Sequence, residues 1–152
     1  MLFRSDGDIM FHSFAFYAVL MQRQFREYCQ KELRDAGLSS GLLFFILYIG
    51  KHPGCNVKAL ITALKLDSGH ATRSLAKLEQ NHFIQQNINP NDKRSRILYL
   101  TNKGQEIFQL SHDFFRNWDQ SVLACLSYEE KENLFQTLDK IADYSNMLTH
   151  LK

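Results

Sequence analysis

Asp92-Lys93-Arg94-Ser95-Arg96-Ile97-Leu98-Tyr99-Leu100-Thr101-Asn102-Lys103-Gly104 is the stretch on which the fold turns. Turn formers crowd residues 89–93, and residues 83–87 and 97–100 on either side are short extended candidates. Together they read as a β-hairpin with a basic tip. Thr101 then caps a helix running to about Leu123, with Ile107, Phe108, Leu110, Phe114, Phe115, Trp118 and Val122 on its apolar side.

Upstream of the hairpin, Asp67 is placed to cap a helix through about Asn81, and Asn56 to cap a shorter one carrying Val57, Leu60, Ile61 and Leu64. The tight Lys65-Leu66 turn between them makes a helix-turn-helix pattern. Before it, Pro53-Gly54 breaks the chain. Residues 41–51 are apolar on nearly every side, so that helix must be central, with Ser39 as its N-cap. Residues 9–36 mostly follow the i, i+3, i+4 spacing of a long amphipathic helix, which Gly37 ends. At the far end, Ser127 with Glu130 makes a capping box for a last helix bearing Leu134, Leu138, Ile141, Tyr144, Met147 and Leu148. Four helices, a hairpin and two further helices give a mainly α fold with a small β-hairpin wing, a winged helix-turn-helix.

At 152 residues, 45% apolar and 22% charged, the chain is long enough for one domain with a real core and reads as globular rather than disordered. Its net charge is only +2, yet residues 51–103 hold nine Lys or Arg against three acids, which leaves the remaining ends at a combined −4. A basic middle on a neutral-to-acidic scaffold suits a polyanionic partner. Cys29, Cys55 and Cys125 form no C-x-x-C pair, which argues against a disulfide framework or thiolate zinc site and for reduced thiols in the cytoplasm. The histidines are dispersed, and no Gly-rich phosphate loop, G-x-S-x-G or H-E-x-x-H occurs, so no metal, cofactor or catalytic residue is expected. The apolar stretch 9–21 is too short to span a bilayer and lacks the layout of a signal peptide, so no membrane partner is expected either.

Leu38-Ser39, Leu66-Asp67, Thr72-Arg73, Leu78-Glu79 and above all Asp92-x-Arg94 followed by Leu100-Thr101-x-x-Gly104 resemble the multiple antibiotic resistance regulator (MarR) family, over roughly residues 9–150. The resemblance implies a single domain, 1–152, in which residues 38–104 form a winged helix-turn-helix DNA-binding region and residues 9–36 and 105–150 are dimerisation helices. It also implies a homodimeric repressor on a pseudo-palindromic operator of double-stranded DNA. The helix from Asp67 would enter a major groove with Ser68, Gly69, His70, Thr72 and Arg73 at its reading end and Lys77 further along toward phosphate. Arg73 suits a bidentate contact to guanine. Asp92, Lys93, Arg94 and Arg96 would form the wing, where an arginine can enter a narrow, electronegative minor groove and Asp92 can hold the guanidinium or the turn in register. Relatives bind small aromatic or phenolic effectors between the dimerisation helices and the winged helix, which by resemblance would place Phe14, Tyr17, Phe45, Tyr48 and Phe108 in an effector pocket.

Two positions depart from the family pattern. His82 stands where glycine is usual and is expected in the left-handed conformation, which His tolerates moderately; Gln86 replaces a frequent arginine and removes one positive charge. Cys29, between Arg26 and Lys31, is the thiol whose neighbours could lower its pKa, although an ordinary thiol is the simpler reading. The competing function for the same fold is a winged helix used for protein contact, or as an antagonist, without DNA.

Overall fold

The computed structural model describes residues 13–150, and the chain forms two compact units, one ending at Phe114 and one starting at Phe115. The first unit contains α1 (Phe14–Glu32), α2 (Ser40–Lys51), β1 (Cys55–Asn56), α3 (Val57–Leu64), α4 (Ser68–Gln80), β2 (Ile84–Asn89), β3 (Asp92–Leu100) and the start of α5 (Asn102–Val122). The second contains the rest of α5 and α6 (Tyr128–His150). The mainly helical winged helix-turn-helix read from the sequence is the fold observed.

Side chains set most of the element ends. Asn56 Oδ1 accepts from the Ala59 N–H at 2.8 Å and Asp67 Oδ1 from the His70 N–H at 2.8 Å, so α3 and α4 start where the sequence placed them. The capping box of α6 is closed by both of its bonds, Glu130 N–H to Ser127 Oγ at 3.3 Å and Ser127 N–H to Glu130 Oε2 at 2.8 Å. Three ends differ from expectation. Ser13 is extended and accepts from the Phe16 N–H at 3.1 Å, so α1 starts at Phe14 rather than at residue 9, and Phe11 lies outside the described residues. That helix also stops at Glu32 instead of residue 36, because residues 33–37 form a separate turn closed by Leu38 N–H to Leu33 O and by Gly37 at φ +68°. Ser39 has N-cap backbone angles but makes no side-chain cap bond, and α2 begins at Ser40.

The core of the first unit is centred on α2, whose Leu42, Leu43, Phe45, Ile46 and Ile49 are buried, as an all-round apolar helix requires. Leu60, Ala71, Leu75, Leu78, Phe83, Ile84, Leu98 and Ile107 are buried with them. Each of the larger side chains contributes about 1.5–3 kcal/mol by leaving water. Gly50 lets α2 approach α5 closely, since a Cβ there would run into the Phe108 ring.

The sheet has three antiparallel strands in the order β1-β3-β2. Hairpin strands β2 and β3 pair with Ile84 opposite Leu100 and Ile88 opposite Arg96, and β1 adds Cys55 opposite Leu98. β1 was not expected. The wing is also longer than the sequence suggests, because Asn89 and Asp92 pair with each other and only Pro90-Asn91 remain as the tip. The turn formers satisfy one another inside the ladder: Asn89 Oδ1 accepts from Asn91 N–H at 3.0 Å, Asn89 Nδ2 donates to Ser95 Oγ at 3.0 Å, and Asp92 Oδ1 accepts from Arg94 N–H at 3.0 Å. A register shift between Ile88 and Asn89 absorbs the unequal strand lengths.

Gly104 sits against the Phe83 carbonyl oxygen with no room for a side chain. Gly104→Ala is therefore expected to destabilise the fold by on the order of 1–3 kcal/mol, seen as a lower urea midpoint, and an unchanged midpoint would contradict the packing. Asp67 yields a second prediction. Its carboxyl is held below the usual carboxylate range, first by the His70 N–H and further by the Gly69 N–H and the Arg73 and His70 cations, against a desolvation that acts the other way. The charged cap thus adds stability above the ordinary carboxylate pKa, near pH 4, and that stability is lost as pH falls through the lower folded value. Asp67→Asn caps equally well in geometry but does not titrate. The difference in melting temperature between wild type and Asp67→Asn should favour wild type at pH 7 and shrink as the pH falls below about 4; a difference constant down to about pH 2.5 would refute the cap's charge.

Candidate nucleic-acid interface

Between α3 and α4 the chain reverses at Lys65, which adopts the left-handed conformation at φ 52° and lets the Leu66 N–H reach Ile61 O at 3.1 Å. Leu66 and the Asp67 cap then launch α4. Ala71, Leu75 and Leu78 face the core and Ser74 is buried beside them, while Ser68, Gly69, His70, Thr72, Arg73 and Lys77 all stay exposed. The Thr72 hydroxyl donates to Ser68 O at 2.8 Å, which leaves its oxygen free to act only as an acceptor. Arg73 has a defined seat: the position a Gly69 Cβ would occupy lies 3.3 Å from Arg73 Nη1 and 3.2 Å from Asp67 Oδ1. The missing side chain at Gly69 therefore lets the guanidinium lie along the helix near the capping carboxylate. On the other flank the His70 ring meets Phe45 edge-on, with centroids 6.3 Å apart.

The end of α4 is tied to the wing. Glu79 accepts from Gln86 twice, from the backbone N–H at 3.2 Å and from Nε2 at 3.0 Å, so the residue that removes an expected cation instead forms a two-point strut to the recognition helix. His82 takes φ +61°, as expected for a residue in the place of glycine, and its carbonyl accepts from Thr101 Oγ1. Lys103 Nζ donates to Asn81 O at 3.1 Å and stands 4.2 Å from the centre of the Phe83 ring.

Asp92, Lys93, Arg94 and Arg96 are all exposed on β3. Asp92 holds the turn rather than the charge, because its carboxylate accepts from the backbone N–H of Arg94. A cleft of about 570 Å³ brings Ser68 of α4 together with Arg94 and Arg96 of the wing and Lys58 of α3. Sequence reading named the first three and missed Lys58. Its signal was available, since it lies two residues after the Asn56 cap, in the first turn of α3 and inside the basic middle of the chain.

The aromatic residues assigned to an effector pocket are placed differently from one another. Phe14 and Tyr17 are exposed on α1, Tyr48 packs on His52 with ring centroids 4.6 Å apart, and Phe108 meets α2 at Gly50. Phe45 is 1% exposed and stands in the core behind the recognition helix. Cys29 is buried, and burial pushes its thiol up to about 11, the opposite of an activated cysteine. Burial also raises the Cys55 thiol. Among the described residues no three His, Cys, Asp or Glu side chains come together as a metal site, and no helix is long and apolar enough to cross a membrane.

Residues 39–95, from the start of α2 to the wing, match the model of the MarR family. The chain is 43% identical to the HTH-type transcriptional regulator BilQ of Clostridium symbiosum, over 87% of this chain and 92% of that protein. It is 31% identical to the HTH-type transcriptional regulator BilQ of Clostridioides difficile, over 90% and 92% of the two chains. The crystal structure of MarR superposes with a TM-score of 0.86 at 23% identity, covering 99% of this chain and 100% of that one. A helix-turn-helix with an exposed polar face, a basic wing strutted to it and regulators as relatives describe a transcription factor and not an enzyme. This chain belongs to the MarR family of winged helix-turn-helix transcriptional regulators.

Proposed function

We propose that the protein is a cytoplasmic, homodimeric repressor that binds a pseudo-palindromic operator, with α4 in the major groove and the wing along the adjacent minor groove. The observation that carries this reading is the cleft in which Ser68 of the recognition helix meets Lys58, Arg94 and Arg96. Cations gathered beside the reading end of a helix suit a duplex, whose backbone is a ladder of phosphates. A winged helix used only for protein contact has no need of that concentration of charge.

The second copy is called for by apolar surface. α1 exposes Phe14 at 63% and Val19 at 67%, together with Tyr17 and Met21. α6 exposes Tyr128 at 81% and Tyr144 at 62%, with Phe135, Leu138 and Ile141 between them at helical spacing. Faces of this size are covered in stable proteins by a partner, and a symmetric dimer covers the same face twice. Residues 9–36 and 105–150 are its dimerisation segments in this reading. Operator binding is released by a small aromatic or phenolic effector held by Phe14, Tyr17, Tyr48 and Phe108, with Phe45 behind them.

Light scattering at micromolar concentration should give twice the mass of the 17.8 kDa chain; a monomer that still binds DNA would overturn the dimer. Division of labour at the interface is also testable. Arg94→Ala should weaken binding to every duplex alike and reduce the salt slope by about one. Arg73→Ala should cost on the order of 1–3 kcal/mol at one operator position and flatten the preference there. Equal, sequence-independent losses from both variants would remove the assignment of base reading to Arg73.

A further inference from the structure

A second cleft, of about 270 Å³, lies on the opposite flank of α4 from the wing, where the N-terminus of α2 faces the recognition helix. It is lined by the N-cap Ser39, by Gly41 and Leu42 of α2 and by His70, Arg73, Ser74 and Lys77 of α4. Three observations give it chemistry. The side chain of Ser39 makes no cap bond, so the first-turn N–H groups of this 12-residue helix have no side-chain acceptor from their own N-cap; Leu42 N–H turns to Ser39 O at 3.0 Å, and Gly41 lines the cleft at the positive end of the helix dipole. Gly41 has open space around it, with nothing within 4 Å of where a Cβ would stand. Ser74 is only 7% exposed, yet its hydroxyl makes no hydrogen bond among the described residues. Among the described residues every side-chain N or O fully sealed from solvent has a partner, so the Ser74 hydroxyl, which has none among them, opens into the cleft it lines.

Backbone donors, a buried donor without an acceptor and a cation converge on one volume, and the acceptor they lack is an anion. Arg73 and Lys77 both line this cleft; Arg73 Nη1 lies beside Gly69, at the start of α4, and the Lys77 ammonium is the cation assigned to the anion here. We propose that the cleft seats one phosphodiester of the DNA backbone, held by the α2 N-terminal N–H groups at Gly41, the Ser74 hydroxyl and the Lys77 ammonium. The inference rests on the DNA-binding reading above and adds to it a fixed point. One strand's phosphate is gripped on the α2 side while Lys58, Arg94 and Arg96 face the other flank, so α4 is held in the groove from both sides.

The test is a double-mutant cycle, read by fluorescence anisotropy on one fixed duplex at constant salt, using the full chain. Ser74→Ala removes a hydroxyl that bonds nothing among the described residues, so thermal stability should be unchanged while DNA affinity falls on the order of tenfold per bound protomer. Lys77→Gln should lower affinity and reduce the salt slope by about one. Because both groups hold the same phosphate, the double variant should lose less than the product of the two single losses. Wild-type DNA affinity in Ser74→Ala, or losses that multiply independently, would overturn the phosphate seat while leaving DNA binding intact. Failure of the wild-type chain to bind any duplex would overturn the DNA-binding reading and this inference together. Amide shifts at Gly41 and Ser74 produced by inorganic phosphate but not by the duplex would reassign the cleft to a free anion and overturn its place in DNA binding.

Discussion

Everything at the interface depends on the junction where Thr101 meets residues 82–83. The Thr101 hydroxyl donates to His82 O, the Thr101 N–H donates to Phe83 O at 3.1 Å, and the same hydroxyl oxygen accepts from the Gly104 N–H at 3.2 Å. One residue thus closes the end of the wing, caps α5 and fastens both to the chain leaving α4. The left-handed turn at His82 and the close approach at Gly104 are the geometric cost of bringing these backbones together. Phe83, almost fully buried, anchors the junction in the core, and Lys103 reaches across it to Asn81 O. Recognition helix and wing are therefore one rigid object, to which the Glu79–Gln86 strut adds a second brace further along.

This rigidity is what gives the charges meaning. Isolated surface cations would bind a polyanion in any register, but Arg94 and Arg96 share one cleft with Ser68 of α4, so in the proposed function the charge of the wing and the hydrogen-bonding groups of the helix engage a duplex together. Asp92 contributes by fixing the Arg94 backbone, and Gly69 by leaving the Arg73 guanidinium a place beside the Asp67 cap. In that proposed function neither residue needs to touch DNA to affect how DNA is read.

Much of this was legible in the sequence because it is written in local chemistry. Caps at Asn56, Asp67, Thr101 and Ser127 are short-range hydrogen bonds, and an all-round apolar helix such as α2 has one place to go. What escaped depends on partners far along the chain. β1 is two residues long, and it is a strand only because Cys55 and Asn56 find Leu98 and Ile97. The wing reads as a five-residue turn until Asn89, Asp92 and Ser95 are seen to bond one another within the ladder. Lys58 is an ordinary helix residue until folding brings it to the wing. At Cys29 the neighbouring cations in sequence left a lowered pKa open beside the simpler reading of an ordinary thiol, and burial raises it instead. Ser39 has the residue type and backbone of a cap but not its bond, and that missing bond leaves the end of α2 open to an outside acceptor.

The central claim is that one rigid helix-and-wing body reads sequence and does not merely collect charge. Selection of bound duplexes from a random pool, at moderate salt and with the full chain, tests it most directly. The account predicts enrichment of an inverted repeat whose half-sites lie about one helical turn, roughly 10 base pairs, apart. A pool that binds without enrichment, and is released uniformly as salt is raised, would contradict it.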